Sequence, residues 1–306
     1  GQHAHCAAVA AESRTSGMRR LTADLLLLLA AAIWGLAFYF QKTAMEHVGP
    51  FLFIAARGTI AAVCLMPLAL FEATRVKTPW SVDFVQVGLA GGLAFLVASA
   101  LQQTGIIDST VTNAGFLTGL YVVTTPLISW ALFGERPPIH VWVAVPLAFV
   151  GVWLLGGGTI GGLSKGDALL AASALVWSLH IIITSRASAY GRPVAYTAMQ
   201  FAFVAFGGGV LALATENNTL EGFYQALPAI AYVGVLSSAL TFTLLAIALK
   251  ETPPSEASIL MSMETLFAAA AGVLLANDWL TPIGWIGAAL MFAATALVQI
   301  GPATEG

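Results

Sequence analysis

Residues 24–50 read DLLLLLAAAIWGLAFYFQKTAMEHVGP, and residues 167–193 read DALLAASALVWSLHIIITSRASAYGRP. When the second stretch is shifted back by 143 positions without a gap, its aspartate, tryptophan and proline fall on those of the first. Matches between leucines or alanines mean little in so apolar a chain, whereas matches of these rarer residues are informative. The same shift also pairs Gly91 with Gly234, Glu135 with Asp278 and Trp142 with Trp285. The sequence therefore predicts an internal duplication, and we call positions 143 residues apart repeat mates.

The composition places the chain in a lipid bilayer. Of 306 residues, 58% are hydrophobic and 9% are charged, whereas soluble domains average about 25% charged residues. A membrane-spanning helix needs about 20 apolar residues, so a chain of this length with short loops predicts an all-α polytopic membrane protein with ten transmembrane helices. The predicted spans are 22–45, 50–72, 80–106, 112–133, 139–157, 166–189, 193–214, 224–250, 254–276 and 281–301.

Each copy of the duplication contains five predicted spans. Because five is odd, the second copy enters the membrane from the opposite side, and the repeats are predicted to be inverted. We expect an N-terminal tail at 1–17, a first repeat at 18–158 and a second at 159–306. Inverted repeats are typical of secondary transporters, whose substrate site lies near the midplane between the repeats. The alternative is a duplicated bundle with a structural role, such as a membrane scaffold.

The distribution of basic residues predicts the orientation. If the N-terminus is cytoplasmic, nine of the lysines and arginines fall on the inner side, and only Lys42 and Lys165 fall on the outer side. This positive-inside bias predicts an inner-membrane protein with both termini in the cytoplasm. Arg57 lies inside the second predicted span and is not counted on either side.

The sequence lacks the residues that several classes of protein function require. A net charge of −3 offers no basic surface for nucleic acid, and two cysteines form no metal or disulfide framework. We find no metalloprotease motif, no phosphate-binding loop and no selectivity-filter sequence. We therefore predict neither an enzyme nor a channel, and no cofactor. The expected partners are a small-molecule substrate and the lipid bilayer, and the protein is expected to be a monomer or a homodimer.

A family resemblance lies in the second part of each copy. The run from Ala114 to Leu132, followed by Gly134-Glu135-Arg136 and by Trp142 through Leu154, resembles an EamA-type module of the drug/metabolite transporter superfamily. In the second copy, Met263-Glu264-Thr265 resembles the Leu-Glu-Pro-Val segment of the family, with Thr265 in place of the proline. Asn277-Asp278 stands in place of the Gly-Glu of the family.

Within the superfamily, the sequence is most similar to the YddG-type exporters of aromatic and other neutral amino acids. The resemblance covers residues 20 to 301. It implies export through the inner membrane of bacteria by way of a central cavity, with no covalent cofactor. Drugs and nucleoside-like metabolites stay open as alternative substrates.

The candidate site is built around two tryptophans in the middle of predicted spans. Trp34 and Trp177 are repeat mates, whereas the other tryptophans of the predicted spans lie near helix ends, where they anchor a helix at the membrane interface. Helical spacing and repeat mates extend the set. The candidate substrate-binding residues are Trp34, Phe38, Gln41, Phe95, Ser99, Gln102, Tyr121, Trp177, His180, Ile181, Thr184, Ser238, Thr241, Phe242, Leu260 and Glu264.

Each of these assignments has a structural alternative. A stripe of aromatic and polar residues also suits ordinary helix packing, and His180 suits a neutral bridge between helices. Glu264 suits a substrate ammonium group, a transported proton or a structural cation, so proton coupling and uniport both stay open. For Arg57, the sequence favours snorkelling or pairing with another helix over binding of a carboxylate.

Overall fold

The computed structural model describes residues 2–77, 79–134, 136–155, 157–159 and 164–300, and over these residues the protein is all-helical. Eight helical stretches are long and apolar enough to cross a membrane, and two shorter apolar helices span Ile139–Leu154 and Pro282–Val298. The α-helices are α1 Gln2–Ala44, α2 Pro50–Arg75, α3 Val82–Gly105, α4 Val111–Thr118, α5 Tyr121–Phe133, α6 Ile139–Leu155, α7 Lys165–Ser188, α8 Pro193–Thr215, α9 Leu220–Gly234, α10 Thr241–Ala248, α11 Pro254–Met261, α12 Glu264–Ala276 and α13 Pro282–Ile300.

Helix starts follow the turn-forming residues of the sequence. Pro50, Pro193 and Pro254 each occupy the first turn of a helix, where the missing N–H of proline has no intrahelical partner to lose. Ser164 caps α7 through a reciprocal pair of hydrogen bonds with Asp167. The predicted multi-pass helical architecture is therefore confirmed, although α1 continues back to Gln2 through the segment that the sequence set apart as a tail.

Two predicted spans are interrupted, which hydropathy did not indicate. The span predicted at 112–133 consists of α4 and α5, separated by Gly119 and Leu120. The span predicted at 254–276 consists of α11 and α12, separated at 262–263. Both breaks fall at repeat mates. At both breaks the backbone changes to 3₁₀-type hydrogen bonds, from Leu120 N–H to the Leu117 carbonyl and from Met263 N–H to the Leu260 carbonyl, each at 3.2 Å. Thr265 Oγ1 connects the two broken spans by donating to the carbonyl of Gly115 at 3.3 Å.

The span predicted at 224–250 is also irregular. A π-helical segment at Val235–Leu240 joins α9 to α10, whereas α3, its counterpart in the first half, is continuous. A π segment changes the hydrogen-bonding of its carbonyls and is frequent at functional sites. Here the carbonyl of Ser237 accepts the indole N–H of Trp34 at 3.1 Å and the hydroxyl of Thr241 at 2.7 Å.

The packing of the helices follows the duplication. Helix α2 packs on α8 and α6 packs on α13, and each of these pairs joins counterparts of the two halves. Helix α3 packs on α7, and the corresponding contact joins α1 to α9 and α10. Swapping the two halves therefore maps each of these helix contacts onto its counterpart, as a pseudo-two-fold axis requires. Residues on α1 and α7 meet residues of the opposite half near this axis.

A cluster of charged residues joins the two halves at one end of the bundle. Arg20 donates to Asp24 Oδ1 at 3.2 Å and to Glu256 of α11. His140 Nε2 lies 3.5 Å from Glu256 Oε1, and Thr252 Oγ1 donates to Asp24 at 3.2 Å. At the opposite end, the corresponding contact is a hydrogen bond from a neutral side chain, because Ser109 Oγ donates to Asp167 at 2.6 Å. Asn113 occupies the position that corresponds to Glu256.

Candidate functional site

A central cavity of about 50 Å³ lies between the two halves. Nine of the described α-helices and the π-helical segment contribute to its wall. The lining residues are Trp34, Phe38, Gln41, Arg57, Gln102, Thr118, Tyr121, Trp177, His180, Ile181, Ser237, Phe242, Leu245, Met261 and Glu264. A single water needs roughly 10–15 Å³ of such space, so the cavity has room for a few waters in this conformation.

The wall of the cavity follows the duplication closely. Trp34 and Trp177 are repeat mates, as are Phe38 and Ile181. The pairs Gln102 with Leu245, Thr118 with Met261 and Tyr121 with Glu264 are repeat mates as well. The cavity therefore lies at the junction of two equivalent half-sites.

Aromatic rings form one continuous wall. The ring of Phe242 lies 4.9 Å from that of Trp34 and 5.9 Å from that of Trp177, the latter nearly parallel at 27°. Phe95 supports this wall from behind, with centroids 4.8 Å from Phe242 and 5.1 Å from Trp177. Contacts of this kind orient the rings relative to one another, so the wall presents a defined apolar surface to a solute.

The structure brings ten of the sixteen sequence-predicted residues into the cavity lining. These ten are Trp34, Phe38, Gln41, Gln102, Tyr121, Trp177, His180, Ile181, Phe242 and Glu264.

The other six lie behind the lining. Phe95 supports the rings, Ser238 accepts a hydrogen bond from Arg57, and Thr241 bonds to the Ser237 carbonyl. The hydroxyl of Thr184 lies 2.8 Å from that of Tyr196. Ser99 and Leu260 are buried, at 1% and 0% exposure.

Sequence reasoning did not nominate five lining residues, which are Arg57, Thr118, Ser237, Leu245 and Met261. The duplication carried a signal for one of them, because Leu245 is the repeat mate of the predicted residue Gln102. Thr118 and Met261 are repeat mates of each other, so neither could be inferred from a predicted mate, although Met261 lies next to the predicted Leu260. Ser237 gave no such signal, because a π segment determines how its carbonyl is presented.

Arg57 pairs with another helix and also reaches the cavity. Its Nε donates to Ser238 Oγ at 2.9 Å, and its guanidinium carbon lies 5.3 Å from the centroid of the Phe95 ring. The side chain is 3% exposed. The predicted interhelical contact is therefore present, while the snorkelling alternative is wrong, because the charge points into the bundle rather than to an interface.

The repeat mate of Arg57 is neutral. Gln200 Oε1 accepts a hydrogen bond from His180 Nε2 at 2.9 Å. His180 Nδ1 and Gln200 Nε2 have no hydrogen-bonding partner among the described residues. A neutral polar pair therefore occupies the half-site that corresponds to the arginine.

Glu264 is the acidic side chain of the cavity wall. It is 4% exposed and is the first residue of α12. The Tyr121 hydroxyl faces it, but Tyr121 Oη and Glu264 Oε1 make no hydrogen bond with any described residue. No group of three or more His, Cys, Asp or Glu residues capable of holding a metal ion occurs in the described part of the chain.

Comparisons with known proteins identify the class. The sequence profile of the EamA-like transporter family matches residues 21–157 and again 164–300. The chain therefore belongs to this family of the drug/metabolite transporter superfamily, and it is a multi-pass membrane transporter. Glu135, which carries part of the resemblance in the first copy, lies outside the described residues.

Individual relatives agree with this assignment. The chain is 32% identical to an uncharacterized transporter of Archaeoglobus fulgidus over 93% of this chain and 88% of the relative. It is 31% identical to the threonine/homoserine exporter RhtA of Escherichia coli over 54% of this chain and 56% of that protein. A protein crystal structure superposes with a TM-score of 0.73 at 19% identity, covering 91% of this chain and 97% of the other, which concerns the fold alone.

Proposed function

We propose that the protein is a secondary transporter that exports small metabolites, above all aromatic and other neutral amino acids, across the bacterial inner membrane by alternating access. In this proposal, ten spans form two inverted five-helix repeats at residues 18–158 and 159–306, and both termini are cytoplasmic. The substrate binds in the central cavity, and no cofactor takes part. The protein acts as a monomer or a homodimer.

The observation that carries the proposal is the matched interruption of two spans beside the cavity. Tyr121 and Glu264 stand at the first residues of the helices that follow the breaks, and both line the cavity. Both breaks are short 3₁₀-type turns, which within a helix often mark a functional hinge. Substrate sites of secondary transporters lie at the interface of the repeats. Two equivalent halves that meet there can exchange conformations at little difference in free energy.

Contacts between the halves at both ends of the bundle agree with a carrier. Arg20 of the first half donates to Glu256 of the second half at one end, and Ser109 Oγ donates to Asp167 Oδ1 at 2.6 Å at the other. A permanent aqueous channel would need an open path, whereas contacts at both ends favour passage by alternate opening of the two ends.

The nature of the cavity favours amino acids over other cargo. It combines an aromatic wall with one cationic and one anionic side chain, a mixture that suits a solute with a charged head and an apolar side chain. Relatedness to a threonine/homoserine exporter supports the same class of solute. Drugs and nucleoside-like metabolites are the alternative substrates, because the aromatic wall alone would bind them.

Counterflow in proteoliposomes tests the proposal. Vesicles preloaded with unlabelled threonine, methionine, phenylalanine or tryptophan are expected to accumulate the labelled amino acid transiently, with saturation, and protein-free vesicles are expected to show none. Exchange of quaternary amines or nucleosides without exchange of any amino acid would assign the protein to the alternative cargo. Absence of exchange for every solute would favour the scaffold role.

Labelling of repeat mates tests the inverted arrangement. Lys77 follows α2, and its repeat mate Leu220 begins α9. In a chain whose two native cysteines are replaced by serine, single cysteines at these two positions are expected to react with an impermeant thiol reagent from opposite sides of the membrane. Labelling of both from one side would refute the inverted arrangement and, with it, this form of alternating access.

A further inference from the structure

A basic and an acidic side chain line the same small cavity. Arg57 of α2 and Glu264 of α12 are 3% and 4% exposed, and both belong to the wall of a cavity of about 50 Å³. One comes from each half of the duplication. Their repeat mates are Gln200 and Tyr121, so the wall has one arginine and one glutamate rather than two of each.

Neither side chain forms an ion pair with another described residue. Arg57 bonds to a serine hydroxyl and packs over a ring, and Glu264 faces the hydroxyl of Tyr121. An ionised side chain that is buried without an opposite charge is strongly unfavourable, so a solute that supplies the missing charges gains affinity.

The two charges differ in sign, which limits the solutes that satisfy both. A cation would neutralise Glu264 and leave Arg57 uncompensated, and an anion would do the reverse. A solute of zero net charge that carries both an ammonium and a carboxylate would compensate both residues at once. We infer that the cavity recognises α-amino acids as zwitterions, with Arg57 binding the carboxylate and Glu264 binding the ammonium group. This inference rests on the proposed function and names its specificity-determining residues.

The hydrogen-bonding geometry of Arg57 suits this role. Ser238 Oγ engages Nε at 2.9 Å, and the Ser237 carbonyl lies at the long distance of 3.5 Å from Nη2. Most N–H groups at the terminal nitrogens therefore stay available for a carboxylate, which a guanidinium binds with two parallel hydrogen bonds. Ser238 and the Phe95 ring hold the guanidinium plane in place.

The surroundings of Glu264 suit an ammonium group. Its Oε1 atom has no hydrogen-bonding partner among the described residues, and an ammonium group offers three donors. The hydroxyl of Tyr121, which also lacks a hydrogen-bonding partner among the described residues, offers a further acceptor beside it. The aromatic rings of Trp34 and Phe242 then provide the apolar surface for the rest of the solute.

A set of analogues that lack one charge tests the inference without any mutation. We would measure inhibition of phenylalanine counterflow by L-phenylalanine, by phenethylamine, which lacks the carboxylate, and by 3-phenylpropionate, which lacks the ammonium group. Threonine, 1-amino-2-propanol and 3-hydroxybutyrate form a parallel series. We expect each singly charged analogue to bind at least about tenfold more weakly than its amino acid, since hydrogen bonds between charged groups are lost. Equal inhibition by all three members would overturn the inference.

Variants then assign each charge to its residue. Arg57→Gln is expected to abolish the preference for the amino acid over the amine and to keep the preference over the acid. Glu264→Gln is expected to do the reverse, and Arg57→Lys to keep part of the carboxylate preference. Ligand-induced thermal stabilisation of the purified protein gives the same comparison without transport. If either glutamine variant weakens all three ligands by the same factor, the residue has a structural role and the inference fails.

Matched controls lie elsewhere in the chain. Arg75 is at the end of the same helix as Arg57, is exposed and packs over Phe71 at 5.1 Å, so Arg75→Gln removes the same chemistry outside the cavity. Glu251 is exposed in the turn before α11, so Glu251→Gln is the control for Glu264. Both controls are expected to keep the analogue preferences of the unmodified protein.

The outcomes separate this inference from the proposed function. If amino acids exchange but their singly charged analogues inhibit equally well, the charge assignment fails and amino-acid export stands. If Glu264→Gln keeps the preference for an ammonium group but loses accumulation driven by a pH gradient, Glu264 carries protons and the assignment fails. If no amino acid exchanges in the unmodified protein, the proposed function itself fails.

Discussion

Replacement of Gly35 by alanine should disturb the contact that places Glu264 beside the cavity. A Cβ at position 35 would lie 2.3 Å from Phe267 Cβ, 2.7 Å from the Glu264 carbonyl oxygen and 2.8 Å from Ala268 N. These are backbone or backbone-anchored atoms of α12, which no side-chain rotation can move aside. Because ordinary carbon contacts begin near 3.5–4.0 Å, α1 and α12 would have to separate by about 1 Å.

The expected cost follows from overpacking. Inserted methyl groups in well-packed regions destabilise by about 1–3 kcal/mol, which corresponds to a fall in Tm of roughly 2–10 °C for a chain of this size. The Tm in detergent is measured from the fraction that stays monodisperse after heating, and counterflow is measured on the same preparation. Since the separation moves Glu264 relative to Trp34, we expect counterflow to fall as well.

A matched control distinguishes this mechanism from a general effect of alanine. A Cβ at Gly209 in α8 would meet no atom within 4 Å. Gly209→Ala should therefore leave counterflow unchanged and leave Tm unchanged or raise it slightly, because alanine favours a helix over glycine by up to about 1 kcal/mol. If Gly35→Ala and Gly209→Ala have the same Tm, the close approach of α1 and α12 does not contribute to stability and the reasoning is wrong.

Two further predictions concern contacts between the halves. Ser178 is the repeat mate of Gly35, and its Oγ lies 2.5 Å from Thr124 Oγ1. Ser178→Ala should lower the stability by about 0.5–2 kcal/mol, as for other hydrogen bonds within membranes. An unchanged Tm would count against this contact. Arg20→Gln should cost more, at most about 3–5 kcal/mol, because Glu256 stays buried with only His140 Nε2 nearby at 3.5 Å. Adding Glu256→Gln to that variant should restore part of the Tm, and a further decrease would show that the two charges are not coupled.

The positions of most spans could be predicted from the sequence, but the breaks within them could not. Hydropathy and proline located the starts of α2, α6 and α8, because burial in lipid and the first turn of a helix are local properties. The interruption after α11 lies beside a contact with a distant part of the chain, in which the Thr265 hydroxyl bonds to the Gly115 carbonyl. The π segment likewise presents the Ser237 carbonyl to an indole from α1. No window of local sequence contains such information.

The candidate site was predictable to the extent that it follows the duplication. Trp34 and Trp177 are rare residues in the middle of spans and are repeat mates, and both line the cavity. Thr118 and Met261 belong to common residue types, so composition could not separate them from ordinary packing. The direction of the Arg57 side chain depends on Ser238 and Phe95, two residues from other helices, and a long flexible side chain offers no local sign of its direction.

The asymmetry of the two half-sites gives the charges a role in coupling the halves. Arg57 belongs to the first half and Glu264 to the second, while the mates of both are neutral. Closure of the halves around an empty cavity would bury two uncompensated charges, whereas closure around a zwitterion would bury a compensated set. A ligand shifts a conformational equilibrium only as far as its affinity differs between the states. A duplicated carrier with one charge on each half therefore favours closure when the cavity holds a solute that reaches both.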